Sequence, residues 1–289
     1  MSQLFSDQMS GLHGLDWHSQ HAGVPVVALH GWLDNAASFS ALAPLLSNHR
    51  IIALDLPGHG KSPWKGADAD YSIWGYTDVL WQVCQQFGQP IHLLSHSMGS
   101  ATAMFLSAAF PELVKSVVML DAAGPLTTPE DRLANQLREG VLAQQQLVRP
   151  SRKFADFDQA LSARLRGSSV LTGECIGPVV ERNLQPAVGG EPGELEWSTD
   201  PRLRLASRLR LTESQVRATL AAIKAPVMAI RAADGLIPEA MFKDRLGVID
   251  DCRFVECSGH HHFHLDASTA PAIAECISAF WLEVEGASA

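Results

Sequence analysis

The sequence predicts an α/β fold with a mainly parallel central sheet, interrupted by one helical insertion. Three observations carry that reading. Six short apolar runs lack the polar alternation of half-exposed strands, as expected for strands buried on both faces. Helical patterns lie between these runs, the order of a βαβ arrangement. The alternation stops at Gly124 and resumes only after Leu211. With 289 residues the chain exceeds the usual size of a single core, so one large domain with an insertion is expected.

The first predicted strand is PVVALH (25–30), nearly all apolar and stopped at Gly31. RIIALD (50–55) is the second, ended by LPGHG. A helix over 72–87 places Trp74, Leu80, Trp81, Cys84 and Phe87 largely on one side, and Gly88 terminates it. IHLLS (91–95) follows as a strand, then a small apolar helix from Gly99 to Phe110 with Pro111 beyond its end. VKSVVMLD (114–121) closes the first half. After the insertion, Thr212 and Gln215 form a capping box for a helix burying Val216, Leu220 and Ile223. PVMAIRA (226–232) and CRFVECS (252–258) complete the sheet.

The core is therefore assigned to 1–124 and 212–289, and a helical cap to 125–211. Within the cap, Thr128–Pro129–Glu130–Asp131 has the chemistry of a helix start, with a hydroxyl, a first-turn proline and acids at the positive dipole end. Leu133, Leu137 and Val141 follow at helical spacing. A second stripe of Phe154, Phe157, Leu161 and Leu165 ends at Gly167, before the loop AVGGEPGELEW. An insertion at the strand ends is where a lid would sit.

Composition excludes several classes. A formal net charge of −9 argues against a phosphate-binding surface, hence against nucleic acid as partner. Arg202, Arg204, Arg208 and Arg210 read as a solvated face. Five cysteines without a CxxC pair make neither a disulfide framework nor a zinc ribbon. The N-terminal stretch lacks a signal-peptide pattern, and no apolar run reaches the ~20 residues of a membrane span. The expectation is a reduced cytoplasmic protein.

The stretch LLSHSMGSA (93–101) holds three serines. A nucleophile elbow is a tight strand–turn–helix that needs small residues two positions before and two after the nucleophile. Ser95 has Leu93 before it, which is too large, and Ser100 has Met98 and Thr102. Ser97 has Ser95 and Gly99, and it alone fits. Ser95 stands where a glycine is usual, and small residues Ala101, Thr102 and Ala103 in the next helix leave room for its CH₂OH.

A serine nucleophile needs a base, and the base an orienting acid. Asp234, in RAADGLIPE after a predicted strand, is the preferred acid, because the order Ser, Asp, His with the acid after the later strand is the commoner one. Asp121, at the end of VVMLD, is the alternative. The base lies among His260, His261, His262 and His264 of SGHHHFHLD. His260 and His264 are four apart, but there is no HExxH and no zinc-spaced set, so no metal is expected. Two backbone amides should form an oxyanion hole: Met98 N–H, after the nucleophile, and Trp32 N–H in LHGWLDN. Asp34 or Asn35 then caps the next helix. DLPGHGKS (55–62) fails as a phosphate loop because Asp55 occupies the required glycine position. Asp55 and His59 are read as structural.

With HGW at 30–32, DLPGHGKS, SHSMG at 95–99, RAADGLIP and GHHHFHLD in order, the chain resembles the α/β-hydrolase superfamily along nearly its whole length. HGWLDNAASF and the insertion ending in WSTDPRL resemble its serine hydrolase-like, Kraken-type branch. Members often read GHxxxxE or GHxxxxD. Asp266 lies five after His261, which favours His261 as base, while His260 directly follows Gly259 and is the fallback. The resemblance implies acyl transfer to water from an ester-like small molecule through Ser97, His261 and Asp234, with no cofactor. A serine nucleophile separates the chain from dehalogenases and epoxide hydrolases of this fold, which resemble it but carry an aspartate there. The same triad under a lid could cleave C–C bonds of β-diketone-like substrates, and a third possibility is a ligand-binding receptor on a hydrolase scaffold.

Overall fold

The computed structural model describes residues 1–147, 152–166 and 170–287. The chain opens with strands β1 (Gln3–Ser6) and β2 (His13–Trp17), followed by β3 (Val26–Leu29) and β4 (Ile51–Leu54). Helix α1 (Thr77–Gln85), β5 (Ile91–His96), α2 (Met98–Ala109) and β6 (Val114–Leu120) complete the first half. The insertion holds α3 (Leu133–Gln145), β7 (Lys153–Phe154), α4 (Phe157–Leu165), α5 (Gly173–Arg182), β8 (Leu184–Pro186) and β9 (Leu195–Trp197). The core then resumes with α6 (Glu213–Ala221), β10 (Val227–Asp234), α7 (Glu239–Leu246), β11 (Cys252–His260) and α8 (Ala270–Gly286).

The eight-stranded sheet has the order β1-β2-β4-β3-β5-β6-β10-β11. Its β1–β2 and β2–β4 pairs are antiparallel and the rest are parallel. Neighbouring residues of one strand feed opposite cores. Val27 and Leu29, with Leu93, pack beneath α1, α2 and α6, while Val26 and Ala28, with Leu94, pack beneath α8. Burial on both faces is why these strands carry no polar alternation. Chain direction across the sheet reverses around β3, which lies between β4 and β5. A crevice outside the carboxyl ends at such a reversal is the usual ligand site of an open α/β sheet. The turn after β3 carries Trp32, and the turn after β5 carries Ser97.

Several elements differ from the sequence expectation. The β1–β2 pair escapes it because β1 is an exposed edge strand with no apolar run to betray it. The helix predicted from residue 72 starts as a 3-10 turn (Ile73–Tyr76), and Trp74 and Trp81 lie on its outer side. Thr128 caps nothing: a 3-10 turn (Glu130–Arg132) leads into α3, without a side-chain cap bond. Leu133, Leu137 and Val141 are 40–49% exposed, so this stripe is not a core face. Phe154 sits in β7 rather than in the second helix, whose expected end at Gly167 lies outside the described residues. The Thr212–Gln215 capping box is present.

The insertion also contains a three-stranded sheet, β7-β9-β8, and α5, neither of which the periodicity signals. Phe154, Ala160, Ile176, Val179, Val180 and Leu184 form a separate cluster that packs on Ala37 and Leu265 of the core. Polar ties reinforce that contact. Arg182 makes a two-oxygen ion pair with buried Asp55, and Asn35 donates to the Val179 carbonyl at 2.8 Å. Arg202 does not lie on a solvated face. It is buried, paired with Asp200, and donates to the carbonyls of Lys65, Gly66 and Ala69. Among the described residues no helix is long and apolar enough to cross a membrane.

Candidate active site

Ser97 sits between the last residue of β5 and the first of α2, at φ 51° and ψ −115°. Such a conformation is costly for a side-chain-bearing residue and persists only where the surroundings impose it. Here the Ser97 N–H donates to the Leu120 carbonyl at 3.1 Å, and its own carbonyl accepts from Ser100 N–H at 2.9 Å. Gly99 permits the sharp entry into α2, since a Cβ there would lie 2.1 Å from the Leu29 carbonyl oxygen. Ser95 fits without disturbing the elbow. Its hydroxyl turns into the sheet, donates to the Val118 carbonyl at 2.7 Å and lies 3.2 Å from the Ser100 hydroxyl.

The histidine at this serine is His261. Its Nε2 lies 2.9 Å from Ser97 Oγ, and its Nδ1 lies 2.6 Å from Asp121 Oδ2. His261 follows β11 through Gly259, whose φ of 114° turns the chain beneath Phe263. His96 clamps the loop from below by donating its Nε2–H to the His261 carbonyl at 2.8 Å. His260, the fallback base, is half-buried and accepts through Nδ1 from the His262 N–H at 3.1 Å. It is not at the serine.

The acid position requires a correction. Asp234 ends β10, is exposed, and its backbone pairs with His260. Among the described residues its carboxylate makes no hydrogen bond or ion pair with His261. Asp121 meets the histidine instead. It is fully buried at the end of β6, with φ 47° aiming its side chain across the strand ends. The loop that carries Asp234 wraps this carboxylate with main chain. Ala232 N–H donates to Asp121 Oδ1 at 3.0 Å and Leu236 N–H to Oδ2 at 3.3 Å. Gly235 passes so close that a Cβ would lie 2.2 Å from Oδ1. That loop thus supplies amides where an acid was expected.

The turn after β3 lies against the same elbow. A Cβ on Gly31 would stand 2.8 Å from His96 Nδ1. His30 fixes this turn by donating Nδ1–H to the Gly31 carbonyl at 2.7 Å and accepting the Leu56 N–H at Nε2. Met98 is the first residue of α2, where main-chain amides have no intrahelical acceptor. Among the described residues neither the Met98 N–H nor the Trp32 N–H has a hydrogen-bond partner. The Trp32 indole donates to the Leu203 carbonyl of the insertion at 2.8 Å.

Charge around the site is arranged by burial. Asp34 is fully buried beside Trp32, with Arg164 of α4 at 2.8 Å and His262 Nε2 at 3.6 Å. Burial alone would raise its pKa, but His262 and Arg164 outweigh that and hold the carboxyl far below the usual carboxylate range. Asn35, not Asp34, caps the turn that follows, accepting from Ala37 N–H. His96 and His264 pack ring against ring, tilted, with centroids 4.0 Å apart, and burial pushes both well below the ordinary histidine value. Both are neutral, as is His59, which burial lowers to about 3. Asp55 accepts from the Ala36 and Lys61 amides, so it holds loops together away from the serine.

The sequence pattern of the alpha/beta hydrolase fold matches residues 24–234. The chain is 31% identical over 270 residues to a serine hydrolase-like protein of Danio rerio, covering 88% of this chain and 81% of that protein. It is 28% identical over 281 residues to serine hydrolase-like protein 2 of Homo sapiens, covering 89% and 87% respectively. A crystal structure of a hypothetical protein from Pseudomonas aeruginosa PAO1 superposes with a TM-score of 0.86 at 33% identity, covering 97% of this chain and 99% of that one. The reversal of the sheet at β3, the strained serine after β5 and the sequence match over residues 24–234 lead to one conclusion: the chain belongs to the α/β-hydrolase family, in the branch of the serine hydrolase-like proteins.

Proposed function

We propose that the protein hydrolyses an ester-like bond of a small molecule through Ser97, His261 and Asp121. The observation that carries this reading is the single imidazole bridging Ser97 Oγ at 2.9 Å and Asp121 Oδ2 at 2.6 Å. A carboxylate acceptor fixes the proton on Nδ1, leaving the Nε2 lone pair directed at the serine hydroxyl. His261 takes that proton as Ser97 Oγ attacks the carbonyl. The developing oxyanion is held by the amides of Met98 and Trp32, one such donor contributing roughly 10²–10³ in rate. His261⁺, stabilised by Asp121, then protonates the leaving alcohol. Water resolves the acyl-enzyme by the same sequence in reverse, and no step calls for a cofactor.

The insertion over 125–211 serves as a lid in this reading. Trp32 bonds to Leu203 and Asp34 to Arg164, so the loop bearing one oxyanion donor is steadied by insertion residues. A short-chain p-nitrophenyl ester is the direct substrate test. Turnover that disappears in Ser97→Ala, with fluorophosphonate labelling confined to the Ser97 peptide, supports the proposal. Labelling at another residue, or ester turnover retained by Ser97→Ala, overturns it.

A further inference from the structure

At the opposite end of β5 from Ser97 lies a second cluster of chemistry-bearing side chains. His92 is the second residue of β5, His49 lies in the loop two residues before β4, and Glu285 is in the last turn of α8. His49 Nε2 and His92 Nε2 each lie 3.2 Å from the same oxygen, Glu285 Oε1, and all three atoms fall within 4.8 Å of one another. Five residue steps along β5 and its end carry the chain from His92 to Ser97, about 17 Å at 3.3–3.4 Å per residue. The cluster is therefore independent of the triad.

We propose that His49, His92 and Glu285 form a binding site for a divalent first-row transition metal of the zinc class. Two imidazole nitrogens and one carboxylate oxygen are the donor set of three-ligand zinc sites that leave a fourth position for water. At bond lengths of about 2.0–2.1 Å, tetrahedral donors stand roughly 3.3 Å apart, which the two histidine–Glu285 separations of 3.2 Å match, while the two imidazole nitrogens, within 4.8 Å of one another, would draw together on the ion. Calcium and magnesium, which take oxygen ligands, are disfavoured by the two imidazoles.

The surroundings fit that role. Both imidazoles are buried, whereas the Glu285 side chain is 34% exposed and leaves an approach for the ion and its water. His92 Nδ1 lies 2.7 Å from Ser116 Oγ on β6. With Nδ1–H donating to that hydroxyl, Nε2 presents its lone pair, the orientation that second-sphere partners of ligating histidines enforce. Trp281 packs against both rings, at centroid distances of 4.7 and 5.3 Å, and fixes their positions. A bound ion would clasp the C-terminal turn of α8 to the N-terminal edge of the sheet. No bond of a substrate is made or broken in this proposal.

The test is Zn²⁺ titration of the chelator-treated full chain by calorimetry, with Co²⁺ absorption reporting coordination. Wild type should bind one equivalent at this site, and Zn²⁺ at 100 times its Kd should raise Tm by about 5 °C. Glu285→Gln keeps a polar partner for both histidines, and so the fold, but should weaken Zn²⁺ at least ~30-fold and abolish the Tm rise. His49→Gln should do the same. Ser116→Ala should weaken binding roughly 10-fold, within the range for second-sphere partners. His262→Gln, beside the triad, should leave the affinity unchanged. Absence of saturable Zn²⁺ binding overturns the proposal. So does binding that survives Glu285→Gln, or binding that is lost with His262→Gln.

Discussion

Asp121 Oδ2 and His261 Nδ1 meet at 2.6 Å across 140 residues of chain, while Asp234, on the neighbouring strand, stays in solvent. That relationship predicts an asymmetry between two aspartates. Asp121→Asn should cost on the order of 10⁴ in kcat, because an amide no longer enforces the productive tautomer. Asp234→Asn should change kcat by less than about threefold, given its exposure and the absence, among the described residues, of a bond from its carboxylate to His261. Ester kinetics on the two variants, each checked for folding by circular dichroism, decide the matter. Equal losses, or a larger loss at Asp234, would refute the assignment of the acid.

The ambiguity between these aspartates shows where sequence reasoning ends. Both residues follow parallel strands, and β6 and β10 are neighbours, with Asp121 N–H donating to the Ile230 carbonyl. Their selection depends on the backbone angle at Asp121 and on Gly235 folding over it, and neither leaves a trace in strand patterning. Ser97 was legible because size rules at the elbow constrain it locally, whereas His261 was singled out among four histidines only by its spacing to Asp266, which the family resemblance supplies. The doubly buried strands were legible without that resemblance, since their composition is set by two cores at once. The insertion was not. Its apolar stripe on α3 faces outward, and its small sheet is made of two- and three-residue strands too short to establish a period.

Ser95 replaces the glycine usual at its position, and its hydroxyl is already satisfied by Val118. Ser95→Gly should therefore leave kcat within about threefold. Stability should fall by roughly 1–2 kcal/mol, from the lost buried hydrogen bond and the added freedom of the unfolded chain. Chemical denaturation and ester turnover on the same preparation measure both. A tenfold gain in kcat would mean that the serine obstructs the elbow.

Arg182 reaches from α5 to Asp55, with its Nε 3.0 Å from each carboxylate oxygen and its side chain 9% exposed. Arg182→Ala strands a buried carboxylate and should destabilise the protein by about 3–5 kcal/mol. Arg182→Lys cannot reproduce the fork of donors and should recover only part of that. If the two variants unfold at the same denaturant concentration as wild type, the insertion is held by its apolar contacts alone.

His30, His59, His96 and His264 are all buried, and burial holds each below the ordinary histidine value of 6.5. In the unfolded chain all four protonate as pH falls through about 6.5, while the folded protein keeps them neutral. The unfolded state then binds more protons, so stability rises with pH in this window. The contribution is complete above about pH 6.5 and is lost progressively below it, down to about pH 3 for His59. Each histidine adds up to about 1.4 kcal/mol per pH unit. Tm should accordingly fall steeply between pH 6.5 and 5, in a range where most carboxylates are still ionised. His264 offers the sharpest check, since both its ring nitrogens lack partners and it packs between Phe39 and His96. His264→Leu removes one of the four protons, so the slope of unfolding free energy against pH should flatten by up to about 1.4 kcal/mol per unit. A slope unchanged by this substitution would mean that His264 titrates alike in the folded and unfolded chains, contrary to its burial.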